Sequence, residues 1–123
     1  MDWEVEFFED SRGKQPVRIF LVELESKPRA KVLQAVQMLV EFGVELPFPY
    51  SSQVKGRLRE LRTRFGGMHY RIFYYADPNR VFVLLHGIVK KSTRLPQTEV
   101  DIALQRMETD RTDKQAGGTH GKE

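Results

Sequence analysis

The chain has no cysteine among its 123 residues, which excludes disulfides, thiolate metal sites and thiol catalysis and suits a reducing compartment. It also lacks any apolar run approaching the roughly 18 residues of a membrane span. Its first ten residues carry five acids, Asp2, Glu4, Glu6, Glu9 and Asp10, and no base, the reverse of a signal peptide's start. A cytoplasmic protein without membrane association is the expectation. Missing too are GxSxG, a Walker loop, HExxH and CxxC. With the carboxylates expected mainly on the first strand and the helices, neither a metal nor any other cofactor is expected.

What is present is ordinary in amount and uneven in placement. Apolar residues make up 40% and charged residues 30% of a chain long enough to bury one core, so a single folded domain is expected. The net charge is only +3 and the pI near 9.3. Yet the stretch from Lys55 to Arg71 holds Lys55, Arg57, Arg59, Arg62, Arg64 and Arg71 against one acid, Glu60. A local basic stripe of this kind is the electrostatic footprint of a phosphate-backbone binder.

Periodicity divides the chain. WEVEFF alternates Trp3, Val5 and Phe7 with Glu4 and Glu6, a half-buried strand. Pro16 opens a helix carrying Val17, Phe20, Leu21 and Leu24 on one stripe. Ser26 caps a second helix with Val32, Leu33, Val36, Leu39 and Val40 before Gly43 ends it, so the two form a helical hairpin. VELPFPYSSQVKG has no sustained period and reads as an irregular loop. LRELRTRF, HYRIFYYA and RVFVLLHGIV, separated by Gly-Gly and Asp-Pro-Asn turn signals, read as an antiparallel meander. Pro96 opens a third helix with Val100, Ala103, Leu104 and Met107 on one face. The fold class is α+β, with residues 1–109 as the domain. Residues 110–123, without an apolar side chain larger than alanine, form a mobile polar tail.

Pleat geometry then sorts the candidates for chemistry. On the middle strand Tyr70, Ile72 and Tyr74 share the face covered by the helices, leaving Arg71, Phe73 and Tyr75 for solvent, a guanidinium and two rings suited to phosphate contact and base stacking. On the preceding strand Glu60, Arg62 and Arg64 face one way and Leu61, Thr63 and Phe65 the other, which stands Arg62 beside Arg71. Two adjacent arginines repel unless an anion joins them. The alternative is solvated arginines whose aliphatic stems cover the sheet. Lys90, Lys91 and Arg94 follow the last strand, as a phosphate-binding group or a solubilising edge. His69 precedes Arg71 and is open to a catalytic or a structural reading, whereas His86, inside VFVLLHGIV, reads as a hydrogen-bonded core histidine.

The element order, together with GRLRELR, HYRIFYY and LLHGIVKKSTRLPQTEVDIALQRM, resembles the RelE/HigB toxin superfamily over residues 2–109, and most closely its phage-derived HigB-like branch. The resemblance implies a RelE-like fold that enters the ribosomal A site and cuts mRNA there. It also implies neutralisation by a cognate helix-turn-helix antitoxin. In that chemistry the RNA 2′-hydroxyl attacks the adjacent phosphorus without a metal. The family's tyrosine–arginine position falls on Arg71 and its basic strand-exit position on Lys91 or Lys90, while Lys55 and Arg57 lie near its basic residues before the second strand. The aromatic residue that some members use after the strand exit has no counterpart here, and Tyr75 is the substitute.

The resulting expectation is a type II toxin and endoribonuclease, an mRNA interferase, with Arg71, Lys91, Lys90, Arg62 and His69 as catalytic candidates. Lys55, Arg57, Arg59, Arg64, Tyr75 and Arg94 are the RNA-binding candidates. The alternative is a noncatalytic RNA-binding or antitoxin-partner module. A DNA-binding regulator is disfavoured because no helix is basic enough to serve as a recognition helix.

Overall fold

The computed structural model describes residues 2–120, and their side chains as far as residue 116. Five strands form one sheet: β1 (Glu4–Phe7), β2 (Ser51–Lys55), β3 (Leu58–Phe65), β4 (Met68–Asp77) and β5 (Val81–Lys90), in the order β1-β5-β4-β3-β2. β1 pairs parallel to β5, and every other pairing is antiparallel. The helices are α1 (Pro16–Glu23), α2 (Ser26–Phe42) and α3 (Gln97–His120), and a single 3-10 turn follows α2 at Gly43–Glu45. This is the expected α+β architecture, with its N-terminal strand, helical pair, meander and closing helix.

The sheet is sandwiched, and the strand period decides which residue meets which layer. Val17 and Leu21 of α1 and Val32 and Leu39 of α2 pack with Leu61, Tyr70, Ile72, Tyr74, Phe82 and Leu84 on one face. Val100, Ala103 and Met107 of α3 pack with Leu58, Phe73, Tyr75, Val83 and Leu85 on the other. The first two helices are tied at their junction by Arg29, whose guanidinium donates to the α1 carbonyls of Leu21 and Val22 at 2.9 and 3.1 Å and to Leu24 at 2.6 Å. That cation at a helix C-terminus satisfies carbonyls the helix itself leaves open. The expected cap, Ser26, is instead the first residue of α2, and Glu25 holds the N-cap position with no side-chain hydrogen bond.

Two glycines permit close approaches. A Cβ at Gly87 would lie 2.5 Å from the Phe20 ring, so the absent side chain is what seats α1 on β5. Gly43 ends α2 at φ 65° with the Trp3 indole 2.6 Å from where its Cβ would be. Opposite Phe73 and Tyr74 a bulge leaves Leu85 without a cross-strand partner. Leu85 joins the α3-side core while the next residue, His86, stacks on Phe73.

Three expectations are corrected. The segment read as a loop contains β2, whose only apolar residue is Val54. It holds to β3 through backbone pairing and through Ser52 Oγ, which donates to Glu60 at 2.7 Å, a polar edge that hydrophobic periodicity does not register. The face of β4 carrying Phe73 and Tyr75 is not open, because α3 lies on it and leaves both residues 0% exposed. Finally, α3 continues through residues 110–120, where a tail was expected. Asp110 accepts from the buried Tyr75 hydroxyl, and Lys114 Nζ lies 3.2–3.4 Å from Asp110, Asp77 and Glu6. Polar side chains thus anchor this end of the helix without an apolar stripe. Residues 121–123 of that expected tail lie outside the described residues.

Candidate functional site

α3 covers only part of its face of the sheet. Beyond its first turn the same face continues with the Arg62–Arg71 and Arg64–His69 pairs of β3 and β4 and with Lys90, which pairs with His69 on the other side. Alternation places these five residues together, and the Gly66–Gly67 turn, with φ of 60° and 80°, sets the register that opposes Arg62 to Arg71.

At the centre is Glu60, a carboxylate only 4% exposed. One oxygen accepts from Arg62 Nη1 at 3.0 Å and from Ser52 Oγ at 2.7 Å. The other lies 2.9 Å from Arg71 Nε, an ion-pair contact not aligned as a hydrogen bond. Glu60 is therefore the anion that lets the two arginines stand side by side. Arg71 is 1% exposed, and its Nη1 makes one long bond, 3.4 Å, to the Tyr70 carbonyl. Its Nη2 is buried with no hydrogen-bond partner. Burial, with Arg62 and Arg64 nearby, holds its pKa below the ordinary arginine value while Glu60 opposes the shift. A buried donor without an acceptor costs about 1–3 kcal/mol, so an arriving oxyanion would relieve a debt already present in the fold.

The same guanidinium lines a cleft of about 220 Å³ with Pro49, Tyr50, Arg62, Thr63 and Arg64. Three arginines in one cleft give it the charge to hold an anion. His69 beside it is 6% exposed, and its Nδ1 has no hydrogen-bond partner. Desolvation, together with Arg71, Arg64, Lys90 and Arg62, holds its pKa below the usual value, so the imidazole is neutral near pH 7. Lys90 is shifted in the same direction by desolvation, Arg71 and Arg62, against the pull of Glu60, and its Nζ donates to the Ser92 carbonyl. A neutral imidazole, an amine of lowered pKa and a cradle of guanidiniums together can move protons and hold a phosphate.

The remaining candidates are dispersed. Lys91 and Arg94 are exposed just beyond β5. Lys55 is exposed at the end of β2, and Arg57 donates to the Ala76 carbonyl at 2.9 Å, near the opposite end of β4 from His69. Arg59 lies on the other face of the sheet and donates to Ser51 Oγ at 3.1 Å. Tyr75 is buried beneath α3, where burial and the Asp110 carboxylate push its hydroxyl pKa up, so it offers no stacking surface. The basic stripe seen in the sequence thus divides among two faces and two ends of the sheet.

His86 is structural in the way expected of it. Its Nδ1 faces Arg106 Nη1 at 3.0 Å; the arginine only donates, so Nδ1 accepts and Nε2 carries the proton toward Glu99 at 2.5 Å. Glu60 is the member of the cluster that the sequence reading passed over. Its signal was being the lone acid of the basic stripe, two residues from Arg62 and so on the same strand face. Among the described residues no three His, Asp or Glu side chains are grouped to hold a metal ion. No helix among the described residues is long and apolar enough to cross a membrane.

No curated protein matches the chain. Residues 19–108, which include all of the cationic cluster and its carboxylate, match the family described as phage-derived protein Gp49-like (DUF891), a family of RelE/HigB-like toxins of toxin–antitoxin systems, and the chain belongs to that family.

Proposed function

We propose that this toxin is a ribosome-dependent mRNA endonuclease of the phage-derived HigB-like kind, cutting RNA at the open end of its sheet. The observation that carries the reading is the buried Arg71 guanidinium, with one nitrogen lacking an acceptor, lining a cleft shared with Arg62 and Arg64. In the reaction the ribose 2′-hydroxyl attacks the adjacent phosphorus and loses its proton. The P–O5′ bond breaks as the leaving oxygen gains one, leaving a 2′,3′-cyclic phosphate and a 5′-hydroxyl. Arg71 and Arg62 stabilise the pentavalent oxyanion, a preorganised role for which removal of a single donor typically costs about 10²–10³ in rate. His69, uncharged near neutrality, takes the proton, and Lys90 supplies one to the leaving group. Glu60 holds both guanidiniums in place before RNA arrives.

Arg64, Lys91 and Arg94 would contact flanking phosphates, with Arg59 on the other face of the sheet and Lys55 and Arg57 at its other end. The partner in the cell would be a helix-turn-helix antitoxin and the place of action the cytoplasm. The test is induction of the chain without its antitoxin. Growth arrest with cut transcripts is expected, and Arg62→Ala with Lys90→Gln should relieve it. Arrest by the variant equal to that of the wild-type chain, or no arrest by the folded wild-type chain, would return the protein to the noncatalytic alternative.

A further inference from the structure

The aromatic surface beside the arginine cleft is not the one expected. Phe48 and Tyr50, in the segment between the 3-10 turn and β2, are 67% and 46% exposed, conspicuous for large rings at a polar edge. Both are fixed to β3 at the residue that matters: the Arg62 guanidinium lies 5.0 Å from the Phe48 ring centre, and Arg62 N donates to the Tyr50 carbonyl at 2.8 Å. Tyr50 and Pro49 line the cleft together with Arg62, Arg64 and Arg71.

We propose that Phe48 and Tyr50 form a nucleobase-stacking subsite, which seats a base flanking the phosphate held by the three arginines. The inference rests on the nuclease reading and deepens it by assigning the base contact. Two exposed rings at the rim of a cationic cleft match the two halves of a nucleotide, a planar π-face and an anion, whereas an aliphatic ligand would leave the guanidiniums without an acceptor. Arg62 links the halves: it packs on Phe48 by a cation–π contact and reaches into the phosphate cleft with the same side chain. Stacking of this sort tolerates any base, so the subsite would position RNA without selecting sequence.

The test uses the full chain with two short single-stranded probes. One is an RNA with every 2′-hydroxyl methylated to block cleavage, and the other is an abasic strand of equal length that keeps the phosphates. Phe48→Leu keeps an apolar side chain without a ring; it should weaken RNA binding about tenfold, the size of one lost base–aromatic stack, and leave abasic binding unchanged. Phe48→Trp should restore RNA binding, with indole emission quenched by RNA and not by the abasic strand. At 67% exposure neither change should alter the melting temperature. Equal loss on both probes, no loss on either, or loss confined to antitoxin binding would overturn the subsite while leaving the arginine cleft intact. A wild-type chain that binds neither probe would overturn the subsite together with RNA binding as such.

Discussion

One face of one sheet carries two regions built from the same strands and treated in opposite ways. Under α3, Tyr75, Asp110, Lys114 and Asp77 form a network in which each polar side chain has a partner of complementary character. Past the N-terminal end of that helix, Arg71 Nη2 and His69 Nδ1 are buried with no acceptor or donor opposite them. Both regions are rich in charge, so charge does not mark function here. Incomplete satisfaction is what separates them: native folds pair their buried polar atoms almost without exception, and Arg71 and His69 are among the exceptions.

That contrast can be broken from either side. The largest expected effect is Arg71→Ala, which takes the counter-ion from one oxygen of the buried Glu60 carboxylate and leaves Arg62 and Ser52 on the other. Removing one member of a buried pair costs about 3–5 kcal/mol, readable as a lower urea midpoint. Loss of toxicity in that variant would therefore report on the fold as well as on chemistry. Arg71→Lys and Arg62→Ala are the cleaner probes, since Arg62 is only partly buried and Arg71→Lys keeps the charge.

At the covered end the balance should reverse. Tyr75→Phe removes the hydroxyl from Asp110 and should cost about 1–2 kcal/mol of stability in urea unfolding while leaving growth arrest intact. An arrest lost with that variant while the protein remains folded would mean that the two regions are not separable. At the open end, Lys90→Gln should do the opposite, changing stability by less than about 1 kcal/mol and lowering cleavage about 10²-fold or more.

The smallest effect concerns pH. The folded pKa of His69 lies below its unfolded value near 6.5, so the unfolded state binds more protons in the interval between the two. Stability is full above about pH 6.5 and is lost as pH falls through the folded value. A melting temperature that declines on acidification, and declines less in His69→Gln, is the expected result. His86 is shifted in the same direction, so the decline should be reduced and not abolished. An equal decline in both proteins would remove His69 from this role.

How much of this was legible in the sequence depended on whether the signal was local. The meander, its Gly-Gly turn and the pairing of Arg62 with Arg71 follow from period and turn chemistry alone, because one register places Leu61 of one strand and Tyr70, Ile72 and Tyr74 of the other on the same face. The placing of aromatic rings was not local. Tyr75 was read as exposed because the helices were all assigned to the other face of the sheet, yet α3 covers this one, fastened at Asp110 and Lys114 by charge. Phe48 and Tyr50 lay in a segment without periodicity, where exposure is set by β2 and by the Arg62 contacts. Glu60 was visible as the one acid among six bases, on the face of Arg62, but its contact with the buried Arg71 guanidinium depends on side-chain geometry that no sequence period carries.

The most direct test of the central claim is chemical mapping of transcript ends made by the purified toxin on ribosomes programmed with mRNA. Cuts bearing a 2′,3′-cyclic phosphate on one side and a 5′-hydroxyl on the other, reduced at least about 10²-fold by Arg62→Ala in a protein of unchanged fold, are the predicted result. Ends bearing a 5′-phosphate, or cuts indifferent to Arg62→Ala and Lys90→Gln, would contradict it.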